Sequence, residues 1–217
     1  MRGVSVLLPK EYLTVAGPAE TTLIIKKSRF IAHVRPATSE EEALAFVEEI
    51  RKQHWQATHN VPAYSVGLEL ETQRASDDGE PSGTAGRPVL EVIKKANLRN
   101  VAIVVTRYFG GTLLGAAGLI RAYGQAASDG IATAGVIRRW LHRSVLVSVD
   151  YPLFGRVQKE IERQGLPVEQ VSYLERVTMQ VAVPVDEAPA FRERIINLTN
   201  AQVQVSEGGE AYRDSKL

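Results

Sequence analysis

The 217-residue sequence contains no cysteine. Disulfides, thiol nucleophiles and cysteine-based structural zinc sites are therefore excluded, and a reducing cytoplasm is the simplest compartment. Long apolar runs are also missing. None approaches the roughly 20 residues that a membrane-spanning helix needs. The N-terminal run Val4 to Leu8 stops at Pro9-Lys10, too short for the apolar region of a signal peptide, so no membrane partner is expected. No charge of one sign dominates: the formal net charge is +1. Residues 1–143 hold 18 Lys+Arg against 14 Asp+Glu, whereas 144–217 hold 8 against 11. A mildly basic front part permits nucleic-acid contact but contains no polybasic arm. Internal repeats and low-complexity tracts are absent, and 44% apolar with 24% charged residues is the balance of an ordinary globular chain.

What is present is a regular alternation of elements. Residues 21–37 are rich in β-branched and apolar side chains broken at Lys26-Lys27-Ser28, which reads as two short strands or one bent strand. In "SEEEALAFVEEIRKQH", Ser39 and Glu42 form a capping box, and Ala43, Phe46, Val47 and Ile50 share one helical face. Residues 63–70 alternate as a strand. Pro88 opens a short helix to Ala96, with Val89, Val92, Ile93 and Ala96 inward and Asn97 at its end. "NVAIVVTRYF" reads as a strand buried on both faces. After Gly110-Gly111 a helix rich in Ala and Gly begins, with Leu119, Ile120, Tyr123 and Ala127 on one face. A further strand is expected over 136–140.

From Ser144 a separate rhythm starts. It gives a strand in "SVLVSVDY", a helix with Phe154, Val157 and Ile161 inward, two strands in 167–185, a helix capped by Asp186 and a strand in 201–207. The last residues, from Gly208, read as a frayed tail. The order βαββαβ is that of a ferredoxin-like plait. The expected organisation is α+β with two domains: an N-terminal extension over 1–20, an α/β domain over 21–142 and a ferredoxin-like domain over 145–210.

Two segments are chemically unusual. The first, "SDDGEPSGTAGR" at 76–87, has almost nothing to bury. Asp77, Asp78 and Glu80 with His59 are the types that form a hard-metal site or a general acid/base pair, although the spacing fits no calcium loop. The same residues equally suit an exposed connecting loop. The second segment, "TRYFGGTLLGAAGLIRAYG" at 106–124, runs from a buried strand through Gly110-Gly111 into a helix, between Arg107 and Arg121. A helix N-terminus presents unpaired N–H groups and attracts anions, so a phosphate cradle is one reading; tight helix-on-sheet packing is the other. The Gly-Lys-Ser/Thr of a phosphate-binding loop is missing, the glycine spacing is not that of a dinucleotide fold, and no serine lies in a Gly-x-Ser-x-Gly setting. "RRWLHR" at 138–143 mixes cations and aromatics, suited either to RNA contact or to an amphipathic strand.

"SDDGEPSGTAGRPVL" and "VVTRYFGGTLLGAAGLIRAYG" together resemble the signature of the IMPACT/YigZ family, and "KKSRFIAHV", "ATHNVPAY" and the plait-like tail extend the likeness over nearly the whole chain after about residue 20. The resemblance implies an N-terminal α/β domain similar to the second domain of a ribosomal small-subunit protein. It also implies a C-terminal domain similar to a ferredoxin-like domain of elongation factor G. Eukaryotic IMPACT restrains a starvation kinase that acts on translation initiation by competing for its activator; for bacterial members the usual inference is nucleic-acid or ribosome binding. The chain departs from the family pattern at Leu113, where Lys is expected, at Ala117, where Gly is expected, and at Val61, where Cys is common. The Leu113 departure removes one cation from the anion-site reading.

The expected function is accordingly a non-enzymatic binding protein acting on RNA, the ribosome or a translation partner, with no catalytic set, metal or cofactor. The expected binding residues are His59, Asp77, Asp78, Glu80, Ser82, Thr84, Arg87, Thr106, Arg107, Tyr108, Gly110, Gly111 and Arg121. Nucleic-acid contact is expected at Lys26, Lys27, Arg138, Arg139 and Arg143. In the 76–87 loop the acids are expected to hold Arg87, Arg107 or Arg121. The alternatives are a metal-dependent hydrolase using the acidic 77–80 loop, and an interaction module docking a partner on the C-terminal sheet.

Overall fold

The computed structural model describes residues 8–216. Most of the apolar run Val4 to Leu8 lies outside them. The chain divides into two compact units, one reaching to Arg138 and the other running from Arg139 to Asp214.

The first unit is built on a five-stranded sheet. In chain order its strands are β2 (Ala19–Ile25), β3 (Ser28–Pro36), β4 (His59–Val66), β5 (Thr72–Ala75) and β6 (Val101–Tyr108), arranged β2-β3-β6-β4-β5. β6 is central and antiparallel to both β3 and β4. Because side chains alternate across a strand, β6 serves two cores. Val101, Ile103 and Val105 join Phe30, Val61 and the helices α2 (Gly86–Lys95) and α3 (Ala116–Ala134). Ala102 and Val104 join Phe46, Val47 and Ile50 of α1 (Glu40–Gln53). Burying each such Ile or Phe side chain contributes about 1.5–3 kcal/mol. α3 lies so close to the sheet that a Cβ on Gly130 would come 2.9 Å from Val34 Cγ2, which explains its Ala/Gly-rich face.

The capped helix forms as the sequence predicts. Ser39 Oγ accepts from Glu42 N at 3.2 Å, whereas the Glu42 carboxylate reaches one residue further back, to Thr38 N at 2.6 Å. Residues 21–37 form two strands joined at Lys26-Lys27. Several boundaries differ from the sequence reading. The strand expected at 63–70 starts at His59 and ends at Val66, because β4 pairs with β6 from His59 onward. β5 has no counterpart in the sequence reading. The helix expected to follow Gly110-Gly111 begins only at Ala116, since residues 109–115 form a loop, and Ile120 is 45% exposed rather than inward. Within the stretch set apart as an extension, β1 (Glu11–Val15) places Val15 in the core and is tied down by Thr14 Oγ1 to Asn100 O and by Ala16 N to Gly135 O.

In the second unit α4 (Tyr151–Arg163) and α5 (Ala188–Leu198) pack on strands β7 (Val136–Val149), β8 (Val168–Tyr173), β9 (Val177–Pro184) and β10 (Val203–Lys216). β7 begins in the first unit and continues into the second, so the two strands expected at 136–140 and from 144 are one element. β9 lies between β7 and β8, and β10 pairs with β7, giving the ferredoxin-like order β10-β7-β9-β8. The tail expected to fray from Gly208 is strand instead, clamped by ion pairs from β7. α5 is capped at Glu187 rather than Asp186, without a side-chain cap bond.

Candidate functional site

The β5–α2 connection folds inward, and each of its three acids has a separate task. Asp77 accepts from the backbone N–H groups of Gly83 (2.7 Å), Ala85 (3.0 Å) and Gly86 (2.9 Å). Ala85 and Gly86 open α2, whose cap residue has no side-chain oxygen, so Asp77 caps the helix from outside it. Desolvation pushes the Asp77 carboxyl up, but the three amides outweigh it and hold the group below the ordinary aspartate range. Asp78 Oδ2 accepts from Asn60 N at 2.6 Å, and its Oδ1 lies 3.1 Å from Arg51. Glu80 points into the protein. Its Oε1 accepts from Arg107 Nη1 at 2.6 Å and from the Tyr123 hydroxyl at 2.7 Å. Both partners of the ion pair are buried, with side-chain exposures of 7% and 3%.

Alternation along β6 explains this convergence. Arg107 shares the face of Val101, Ile103 and Val105, beneath α3, and is paired in register with His59. The Arg107 guanidinium lies over the rings of Phe30 and Phe109, at 5.4 and 5.6 Å from their centroids. Phe30 in turn meets Tyr123 edge-on at 5.2 Å. Burial, and then the Glu80 carboxylate, push the Tyr123 hydroxyl far above its ordinary value. His59, half-buried at the first position of β4, is 2.7 Å from Asp78 O through Nδ1 and 3.8 Å from Glu80 through Nε2.

The remaining expected residues are dispersed. Thr84 is buried and bonds Pro81 O; Ser82 is exposed. Thr106 and Tyr108 occupy the opposite sheet face, where Thr106 donates to Asn60 and Tyr108 meets His54 at 3.0 Å under the Arg29 guanidinium. Arg87 and Arg121 are exposed and do not enter the Glu80 cluster, because their helical positions face outward. Gly110 and Gly111 belong to the β6–α3 loop rather than to a helix N-terminus, so the phosphate-cradle reading finds no helix N-terminus there. A Cβ on Gly110 would lie 2.0 Å from the Lys27 carbonyl carbon, which shows how closely the β2–β3 turn abuts this loop.

The expected nucleic-acid contacts split into two groups. Arg138, Arg139 and Arg143 are ion-paired, to Glu11 (3.5 Å), Asp214 (2.6 Å) and Glu207 (2.6 Å) respectively. Lys26 and Lys27 are exposed and have no acidic partner among the described residues; Arg29, Arg87 and Arg121 are also exposed without one.

Sequence reasoning missed Tyr123 as the second ligand of Glu80, and Asn60 and Arg51 as partners of Asp78. A Tyr on a buried helix face was a usable signal, since its hydroxyl requires a partner. It also missed the pair His33 and His54, whose rings lie 4.8 Å apart on the α1 side of the sheet.

Fold and site define a class: two-domain α+β proteins in which an acidic turn is folded under a helix onto a buried arginine. The Impact N-terminal domain matches residues 26–131, and the Domain of unknown function (DUF1949) matches residues 147–202. The chain belongs to the IMPACT family. It is 45% identical over 206 residues to IMPACT family member YvyE of Bacillus subtilis, covering 95% of each chain. It is 29% identical to IMPACT family member YigZ of Escherichia coli, covering 90% of this chain and 97% of that one. A solved structure titled "Crystal structure of an hypothetical protein" superposes with a TM-score of 0.61 at 29% identity, over 91% of this chain and 97% of that one. Membership supports a regulatory or binding role. Among the described residues no helix is long and apolar enough to cross a membrane.

Proposed function

We propose that this is a non-enzymatic cytoplasmic protein that binds single-stranded nucleic acid in a translation-related role, through the basic β2–β3 turn and the adjoining β6–α3 loop. The observation that carries the reading is the backbone of the turn. Lys26 and Lys27 both have positive φ, 45° and 67°, in a two-residue hairpin closed by the pair Ile25 and Ser28. Such a turn favours Asn-Gly, and each other residue in the left-handed region costs about 1–2 kcal/mol. Two lysines are a poor choice for folding, and their ammonium groups form no ion pair among the described residues. A strained position occupied by an exposed, unpaired cation points to a function outside the fold. Beside it, Phe109 is 46% exposed and Arg29 is exposed, the combination of stacking surface and charge that single strands use.

The hydrolase alternative is less well supported, because all three loop acids are committed to backbone amides or buried partners. The test replaces Lys26→Asn and Lys27→Gly together, which removes two charges while suiting the turn. Affinity for single-stranded RNA should fall, and the log–log salt slope should flatten by about 1.4. Arg139→Gln should leave the slope unchanged, since that charge is already paired with Asp214. Binding that ignores salt contradicts the proposal.

A further inference from the structure

We infer that the groove between α2 and α3 receives a nucleobase from the bound strand; this rests on the reading above. The groove has a volume of about 380 Å³. Pro88 and Val92 of α2 and Ile120 and Gly124 of α3 supply an aliphatic lining, and Arg87 and Lys95 stand at its rim.

Three observations support this occupant. Gly124 lies inside a 19-residue helix, where glycine is unfavourable relative to alanine. Packing does not require it, because a Cβ built there meets no atom within 4 Å. That Cβ would project into open space beside Ile120, so its absence keeps the groove wide. Second, Ile120 is 45% exposed although it lies next to the buried Leu119 in the sequence. An apolar side chain left uncovered in a cleft suits a flat apolar ligand. Third, the rim charge is cationic and free. Arg87 and Lys95 form no ion pair among the described residues, while the one acid in the groove, Glu91, sits 3.8 Å from Lys94. An aliphatic slot with free cations at its edge complements a base attached to phosphates, and guanidinium planes stack on bases. Such a slot requires an unstacked base, so it selects single strands over duplex.

The experiment measures the full chain by fluorescence anisotropy against a short single-stranded RNA and a matched abasic ribose-phosphate strand. The base-bearing strand should bind about tenfold more tightly. Gly124→Leu, which fills the slot with a better helix former, should abolish that preference while leaving abasic binding and the salt slope unchanged. Lys26→Asn/Lys27→Gly should weaken both strands alike. Equal wild-type affinity for the two strands, or a base preference that survives Gly124→Leu, overturns the groove assignment and leaves backbone binding standing. Failure of the wild type to bind either strand at low salt overturns both. Capture of an acidic amphipathic peptide that RNA does not displace, and that Gly124→Leu prevents, also overturns it by assigning the groove to a protein partner.

Discussion

Glu80 and Arg107 are 27 residues apart in the sequence, yet their side chains meet at 2.6 Å in a site almost closed to water. Tyr123 donates to the same carboxylate oxygen. The polar composition of the 76–87 loop is thus that of an internal network, in which each charged group leaves water only because its partner leaves with it.

Removing one member should therefore strand the other. Arg107→Met is expected to destabilise by about 3–5 kcal/mol, read from urea unfolding midpoints. The double substitution Arg107→Met/Glu80→Leu should recover much of that loss, since two apolar groups need no desolvated partner. A double variant as unstable as the sum of the single ones would show that the two charges act independently.

Asp77→Ala removes the acceptor of three N–H groups at once and uncaps α2. A loss of about 2–4 kcal/mol is expected. Hydrogen exchange should speed up first at Gly83, Ala85 and Gly86. Uniform exchange across the domain, with no early change at those amides, would place the effect elsewhere.

His33 sets a pH dependence. Burial, only partly offset by Glu20 at 3.2 Å and reinforced by the neighbouring His54, lowers its pKa from the ordinary 6.5 to about 4; the His54 ring in turn meets Tyr108 edge-on, beneath Arg29. A folded-state value below the unfolded one means that the unfolded chain takes up the proton first. Stability from neutral His33 is complete above about pH 6.5 and declines as the pH falls towards 4. Urea midpoints should therefore drop between pH 7 and pH 4.5, a range in which Asp77 stays ionised. His33→Leu should flatten the decline, and an unchanged slope in that variant would rule His33 out as its source.

The β2–β3 turn should be stabilised by the same change that removes its charge. Lys26→Asn/Lys27→Gly is expected to raise stability by about 1–2 kcal/mol. Thermal melting checks this directly, and a lower melting temperature would mean that the lysines hold the turn rather than burden it.

Local patterns were legible wherever the determinants lie within a few residues of each other. Ser39 and Glu42 announced α1, the period of Ala43, Phe46, Val47 and Ile50 announced its buried face, and the unbroken apolar run at 100–109 announced a strand covered on both sides. The acidic turn and the glycine loop were recognisable as unusual, and of the three arginines expected to be held by the acids only Arg107 is held, by Glu80. Boundaries set by pairing were not legible. The start of β4 at His59, the late start of α3 and the run of β7 through 136–149 depend on neighbours distant in sequence.

By itself, then, the sequence determined most of the elements, β1 and β5 excepted, together with the plait order of the second unit and the absence of thiol chemistry, because propensity, periodicity and composition are local properties. Tertiary structure alone decided which charges are free. Arg107 is committed to Glu80, Arg139 to Asp214 and Arg143 to Glu207, while Lys26, Lys27, Arg87 and Arg121 remain exposed without an acidic partner among the described residues. Whether a cation is spent inside the fold or left for a ligand depends on a contact a few ångströms long between residues up to 75 positions apart, and the Coulomb energy of that contact depends on distance and burial, which no linear spacing encodes.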